Sequence, residues 1–160
     1  MDGEGTRAPP RTLLERLDRS GPSPLELVRT TLTPSGAAHD YAARLRDALP
    51  GDGPSPVLDL VILGVGADGH TASLFPRDAH LRPTTPDPVV VPVIGAPKPP
   101  RARVSLTLPT INAARHRLVL ATGPAKREAL TRRFDDERSD DWPITLVERR
   151  DMTVYTDQPV

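Results

Sequence analysis

Apolar residues along this chain fall into two kinds of run. VLDLVILG (57–64), PVVVPVI (88–94) and RLVLAT (117–122) are short, nearly continuous and bounded by turn residues, a pattern that predicts strands covered on both faces. RVSLTL (103–108) alternates and predicts a strand nearer a sheet edge, while ITLV (144–147) and MTVYT (152–156) predict two short late strands. Elsewhere the apolar spacing is helical. TPSGAAHDYAARLRDALPG (33–51) places Tyr41, Leu45 and Leu49 four residues apart, with Thr33 positioned as a cap, Pro34 in the first turn and Pro50-Gly51 as a stop. RTLLERL (11–17) and GPAKREALTRRF (123–134) read as shorter amphipathic helices, and RSGPSP (19–24) breaks the chain after the first of them. Residues 1–10 read as a disordered tail.

Strands separated by helices predict an α/β sandwich with a mostly parallel sheet. With no internal repeat and no second domain in the pattern, residues 11–160 read as one domain. A length of 160 residues suits one domain with a real core. Lys+Arg and Asp+Glu both number 21, so no net field recruits nucleic acid or an anionic membrane. There is no Cys, which removes disulfides, thiolate zinc sites and cysteine nucleophiles together. No apolar run approaches the roughly 20 residues that span a bilayer, and the N-terminus lacks the order of a signal peptide, so a cytoplasmic location is expected. Twenty prolines and 3% aromatic residues predict rigid loops around an aliphatic core. DDERSDDW (135–142) reads as a solvated loop.

The most informative stretch is DLVILGVGADGHTASLFP (59–76), in which Gly64, Gly66 and Gly69 spell G-x-G-x-x-G after a strand. A dinucleotide site would need a helix of about three turns starting at that loop and an acidic residue about 20 positions later. Pro76 follows Gly69 by seven residues, the next stretch is broken by prolines, and Asp68 would face the pyrophosphate. The dinucleotide reading fails, and no nucleotide or other cofactor is expected. What remains is a glycine-rich turn that presents Asp68 and His70 just before a short helix. One reading makes it a ligand loop at the carboxyl end of a strand, its N–H groups from Gly66 to Thr71 facing a developing negative charge. The other makes it a tight turn with His70 capping the helix. His39, His80 and His116 show no metal-ligand spacing, so no metal is expected.

Three motifs carry a family resemblance. LGVGADGHTASLFP (63–76) resembles the signature of 6-phosphogluconolactonases, in the glucosamine-6-phosphate isomerase/deaminase superfamily. PKPPRARVSLTLPTINAAR (97–115) resembles that family's K-P-P-x-x-R segment with its Asn-Ala pair, and VLATGPAKREAL (119–130) its strand, T-G-x-x-K and helix. The tail ITLVERRDMTVYTDQPV (144–160) is similar to the family's closing strands, and the resemblance runs in order over residues 11–160. It implies a three-layer α/β sandwich with a mostly parallel, Rossmann-like sheet. Deaminase relatives resemble GHIAFNEP at the signature, with a Glu after the histidine; Leu74 and Phe75 stand in the matching region here, which favours lactone hydrolysis over amino-sugar chemistry.

Family members also carry a G-G-S-T-P phosphate loop and a D-E-R segment near their start. Nothing like GGSTP occurs here, and the DER of Asp136–Arg138 lies at the other end of the chain. The sequence therefore resembles the C-terminal two-thirds of a lactonase, with a sheet incomplete at its N-terminal side. That leads to the expectation of a poor catalyst, prone to self-association unless another chain, such as a complementing N-terminal segment, covers the gap; the alternative is a non-catalytic remnant that binds sugar phosphate or serves as an interaction module.

A δ-lactone needs a base for water, donors for the oxyanion and cations for the phosphate, with no metal and no covalent intermediate. His70 is the candidate base, because an unperturbed imidazole pKa of about 6.5 suits proton abstraction at neutral pH. Asp68 either holds the imidazole tautomer or forms its own Asx turn. Lys98 and Arg103 match the family's K-P-P-x-x-R as phosphate or sugar ligands; read by themselves they are solvated cations. Lys126, in the first turn of a helix after a strand, occupies an anion-binding position. Gly64, Gly66 and Gly69 complete the candidate substrate loop. Arg101 reads as a surface charge, Asn112 as a turn brace, and Ser73 lacks the G-x-S-x-G of a nucleophile elbow. The implied ligand is a small sugar-phosphate lactone, with no nucleic acid or membrane partner.

Overall fold

The computed structural model describes residues 28–49, 56–82, 88–135 and 137–159. The expected tail at residues 1–10 and the helix at 11–17 lie outside the described residues. Helix α1 (Pro34–Ala48) starts where the capping pattern placed it: Thr33 Oγ1 accepts from the Gly36 N–H at 3.2 Å, and a proline occupies the first turn. Its buried stripe is wider than the predicted one and rich in alanine. Ala37, Ala38, Ala42 and Leu45 are buried, and Tyr41 and Leu49 pack half-buried beside them.

Three strands, β1 (Leu60–Gly64), β4 (His116–Ala121) and β5 (Met152–Thr156), form a parallel sheet in the order β1-β4-β5. The register sets Ile62 beside Leu118 and Gly64 beside Leu120, which in turn pairs with Tyr155. One face of this sheet is core. Val61, Leu63, Val119 and Ala121 pack against Ile111 of α2 (Leu108–Ala113), Ala129 and Leu130 of α3 (Arg127–Phe134), and Ile144. The opposite face alternates outward, with Ile62 60% and Tyr155 61% exposed and Leu60 and Leu120 about half exposed. The expectation that the 57–64 run is covered on both faces thus fails among the described residues, because its apolar side chains alternate and only one set meets a neighbour.

Strands β2 (Val90–Ile94) and β3 (Ala102–Leu106) were expected in the same sheet; they form a separate antiparallel pair. The connection between them, residues 95–101, is closed by Gly95 and Ala96 N–H groups donating to the Arg101 carbonyl. A loop that short permits a hairpin and forbids a parallel crossover. Helix α1 packs on this pair through Ala38, Ala42, Val89 and Val90.

Two further predictions change. RVSLTL ends as a strand at Leu106; Thr107 caps α2, its hydroxyl accepting from the Thr110 N–H at 3.4 Å, with Pro109 in the first turn. ITLV is no strand but a 3-10 turn, Pro143–Leu146, in which the Thr145 N–H and hydroxyl both donate to the Trp142 carbonyl. Asn112 does brace a turn: its amide donates to the Leu146 carbonyl and accepts from the Glu148 N–H. Among the described residues no helix is long and apolar enough to cross a membrane.

Candidate active site

Beyond Gly64 the chain does not enter a helix. The Thr71 hydroxyl donates to the Gly64 carbonyl at 2.9 Å, Val65 bridges Thr71, and Ala72 sits at φ +51. These features fold residues 65–78 into consecutive turns. The short helix expected after His70 is therefore absent, and so is the reading in which His70 caps it. The Gly66 N–H donates to the His70 carbonyl, the Gly69 N–H to the Gly66 carbonyl, and the His70 N–H to Asp68 Oδ1. Those three donors are engaged inside the loop rather than facing a ligand.

What the loop presents is a pair of side chains. His70 Nδ1 lies 2.6 Å from Asp68 Oδ1. A carboxylate only accepts, so Nδ1 carries the proton, and in the neutral ring Nε2 is the nitrogen with the free lone pair. Burial raises the Asp68 carboxyl, but the hydrogen bonds from the His70 ring and backbone N–H, with the charge of the imidazole, hold it below the ordinary 3.8.

The pair lies over the α-carbon of Gly66, where a Cβ would stand 2.0 Å from His70 Nδ1 and 2.3 Å from Asp68 Oδ1. Gly69 has φ +76, and a Cβ there would meet Trp142 Cε3 at 2.6 Å. The Ile144 N–H donates to the Gly69 carbonyl, so the loop is also held from behind. The segment expected to be a solvated loop does much of this holding. Asp140 takes a forked pair of hydrogen bonds from Arg82, Asp141 accepts from Arg77 Nε, and the Arg77 N–H donates to the Asp140 carbonyl.

The pair opens into a cavity of about 570 Å³ lined by Gly66, Asp68, His70, Phe75, Lys98, Arg103 and Lys126, with Ala67, Pro97, Pro99 and Ala125. Six of the eight residues singled out in the sequence meet here. Gly64 and Gly69 do not line it. The position of a Gly64 Cβ is open within 4 Å, so no neighbouring protein atom and no positive φ calls for glycine there. Lys126 closes a 3-10 turn, Pro124–Lys126, that enters α3 after Gly123 at φ +93.

Arg103 is less free than a solvated cation: Nε and Nη2 donate to the carbonyls of Pro100 and Lys98 at 2.9 and 2.8 Å. It therefore holds the 97–100 loop as well as facing the cavity. Phe75, which in the sequence spoke only against the deaminase reading, joins the two halves. Its ring centroid is 4.7 Å from that of His70, and the Arg103 guanidinium sits 5.6 Å above it.

Residues 10–156 match the family described as glucosamine-6-phosphate isomerases/6-phosphogluconolactonase. The 6-phosphogluconolactonase of Homo sapiens is 48% identical over 112 residues, 70% of this chain and 42% of that protein. Among solved structures, the 6-phosphogluconolactonase of Thermotoga maritima aligns at 32% identity and TM-score 0.64, over 81% of this chain and 53% of its own. That of Leishmania guyanensis also aligns at 32% identity and TM-score 0.64, over 76% of this chain and 49% of its own. The chain spans less than half the length of the human relative. The family match, the parallel sheet and the glycine loop at its carboxyl end agree: this chain belongs to the glucosamine-6-phosphate isomerase/6-phosphogluconolactonase family.

Proposed function

We propose that this chain carries the hydrolytic centre of a 6-phosphogluconolactonase, converting 6-phospho-D-glucono-1,5-lactone to 6-phosphogluconate in the oxidative pentose phosphate route of the cytoplasm. The observation that supports this most is the hydrogen-bonded His70–Asp68 pair set in one cavity with Lys98, Arg103 and Lys126. His70 Nε2 takes a proton from water as that water attacks the lactone carbonyl; Asp68 fixes the tautomer and stabilises the imidazolium. The tetrahedral oxyanion collapses, the ring C–O bond breaks, and the imidazolium returns its proton to the departing ring oxygen. Lys98 and Lys126 hold the phosphate, and Arg103 shapes the loop that carries Lys98.

The amino-sugar reading fits less well. Leu74 is fully buried and Phe75 floors the cavity, so the turn after His70 offers no carboxylate for ring opening. The experiment that separates the two supplies the chain with the phosphorylated lactone and, in parallel, with glucosamine 6-phosphate. The proposal expects lactone loss above the spontaneous rate and no ammonia; ammonia release without lactone loss would reverse it.

We further infer that residues 11–160 act as one lactonase-like domain, a reading supported by the family match over residues 10–156. The exposed sheet face of Leu60, Ile62, Leu120 and Tyr155 supports a second element: the chain works with that face covered, by self-association or by a complementing N-terminal segment. With the face uncovered it turns over slowly and associates.

A further inference from the structure

The turn that carries Lys126 is held by a residue from a distant part of the chain. Strands β4 and β5 run parallel, and the register sets Ala121 beside Thr156, so the chain leaves both strands at the same end of the sheet. Asp157, the first residue after β5, reaches across to the segment that follows β4: its Oδ1 accepts from the Gly123 N–H at 2.8 Å. The Gly123 carbonyl in turn accepts from the Lys126 N–H at 3.0 Å, which closes the 3-10 turn Pro124–Lys126. Both backbone groups of Gly123 are thus engaged, one by Asp157 and the other by Lys126.

Gly123 lies at φ +93, a conformation that glycine visits among many others. A bond that selects this one conformation therefore sets the direction in which the chain enters the turn and α3. The carboxylate suits that task because it only accepts. The Gln158 amide donates to the same Oδ1 at 2.9 Å; with the Gly123 N–H it holds the Asp157 carboxyl below the ordinary 3.8, so the acceptor is ionised at neutral pH.

We propose that Asp157 is a positioning residue for Lys126: by holding Gly123 it fixes the turn that brings Lys126 to the wall of the lactone cavity. The proposal rests on the reading of Lys126 as a phosphate cation. Asp157 is not among the residues that line the cavity, so it acts through the turn and not on the ligand.

Two measurements on the full chain test it, each comparing Asp157→Ala with Asp157→Asn, which removes the same charge but keeps an acceptor oxygen. Amide hydrogen exchange without ligand reports the turn itself. Gly123 and Lys126 should exchange about 3- to 10-fold faster in Asp157→Ala than in Asp157→Asn, while the amides of β1 and α1 exchange alike in both. Titration calorimetry reports the ligand, with 6-phosphogluconate as probe and gluconate as the arm without phosphate. Asp157→Ala should bind 6-phosphogluconate about 3- to 10-fold more weakly than Asp157→Asn, and the two should bind gluconate alike. That difference should vanish when Lys126→Ala is added to both. Equal exchange at Gly123 and Lys126 overturns the proposal. So does equal 6-phosphogluconate binding where Lys126→Ala weakens it, or a difference that survives Lys126→Ala. If Lys126→Ala alone leaves 6-phosphogluconate binding at the parent value while the exchange difference stands, the phosphate reading of Lys126 fails and Asp157 remains the tether of its turn.

Discussion

The α-carbon of Gly66 lies beneath the imidazole of His70, so closely that a methyl group there would stand 2.0 Å from Nδ1. The His70–Asp68 pair therefore depends on a glycine that neither touches the proton nor carries charge. Gly66→Ala should push the ring off its carboxylate and lower lactone turnover by about 10²-fold, the cost of roughly 1 Å of misplacement. Gly64→Ala, where the added carbon meets nothing within 4 Å, should leave turnover within about twofold of the parent. The two substitutions differ only in position, and their turnover ratio is the measurement.

The Asp68 carboxyl is held below 3.8 by His70, against a burial effect in the other direction. Its native pKa lies below the unfolded one, so its contribution to stability is present above the unfolded value and is lost as pH falls through the native one. Carboxyl carbon-13 titration should find Asp68 half-protonated below pH 3.8 in the parent. In His70→Ala the ring's hydrogen bond and charge are gone, so the midpoint should move up. An unchanged midpoint would mean that the backbone N–H alone sets it.

The two cations should separate by substrate. Lys126→Ala removes a charge at the cavity wall and should weaken the phosphorylated lactone by about 10- to 100-fold while sparing the unphosphorylated one. Arg103 also donates to the carbonyls of Lys98 and Pro100, so Arg103→Ala should loosen the loop and weaken both substrates. Equal effects of the two substitutions on both lactones would contradict this division.

Ile62 and Tyr155 are exposed on the same face of the parallel sheet. Light scattering of the parent should show self-association, and Ile62→Lys with Tyr155→Lys should reduce it without lowering the unfolding midpoint. A monodisperse parent at high concentration would refute the reading of this face as one that needs cover.

Much of the site was legible because its residues are carried by short motifs. Gly66, Asp68 and His70 follow one strand, and Lys126 follows another, so a strand-to-loop reading places them at the carboxyl end of one sheet. Lys98 and Arg103 came from the family pattern, and the cavity joins them to the rest. What the pattern could not show were the contacts between distant segments. Trp142 behind Gly69, and Asp140 and Asp141 on Arg82 and Arg77, connect residues nearly 60 or more positions apart, and a run of polar residues gives no sign of its partners. The β2–β3 pairing and the ITLV segment escaped the pattern for similar reasons. A continuous apolar run does not reveal whether its strand pairs parallel or antiparallel, and the short 95–101 connection decided that for β2 and β3. ITLV has strand-like composition, but Pro143 and the Thr145 bonds to Trp142 close it into a turn.

In the proposed reaction His70, oriented by Asp68, is the base that drives lactone hydrolysis. The direct measurement is disappearance of 6-phospho-D-glucono-1,5-lactone above its spontaneous rate, in the parent and in His70→Asn at matched folding. The parent should show an excess rate, and His70→Asn should lose about 10²–10⁴-fold of that excess. An equal excess in both proteins would contradict the assignment.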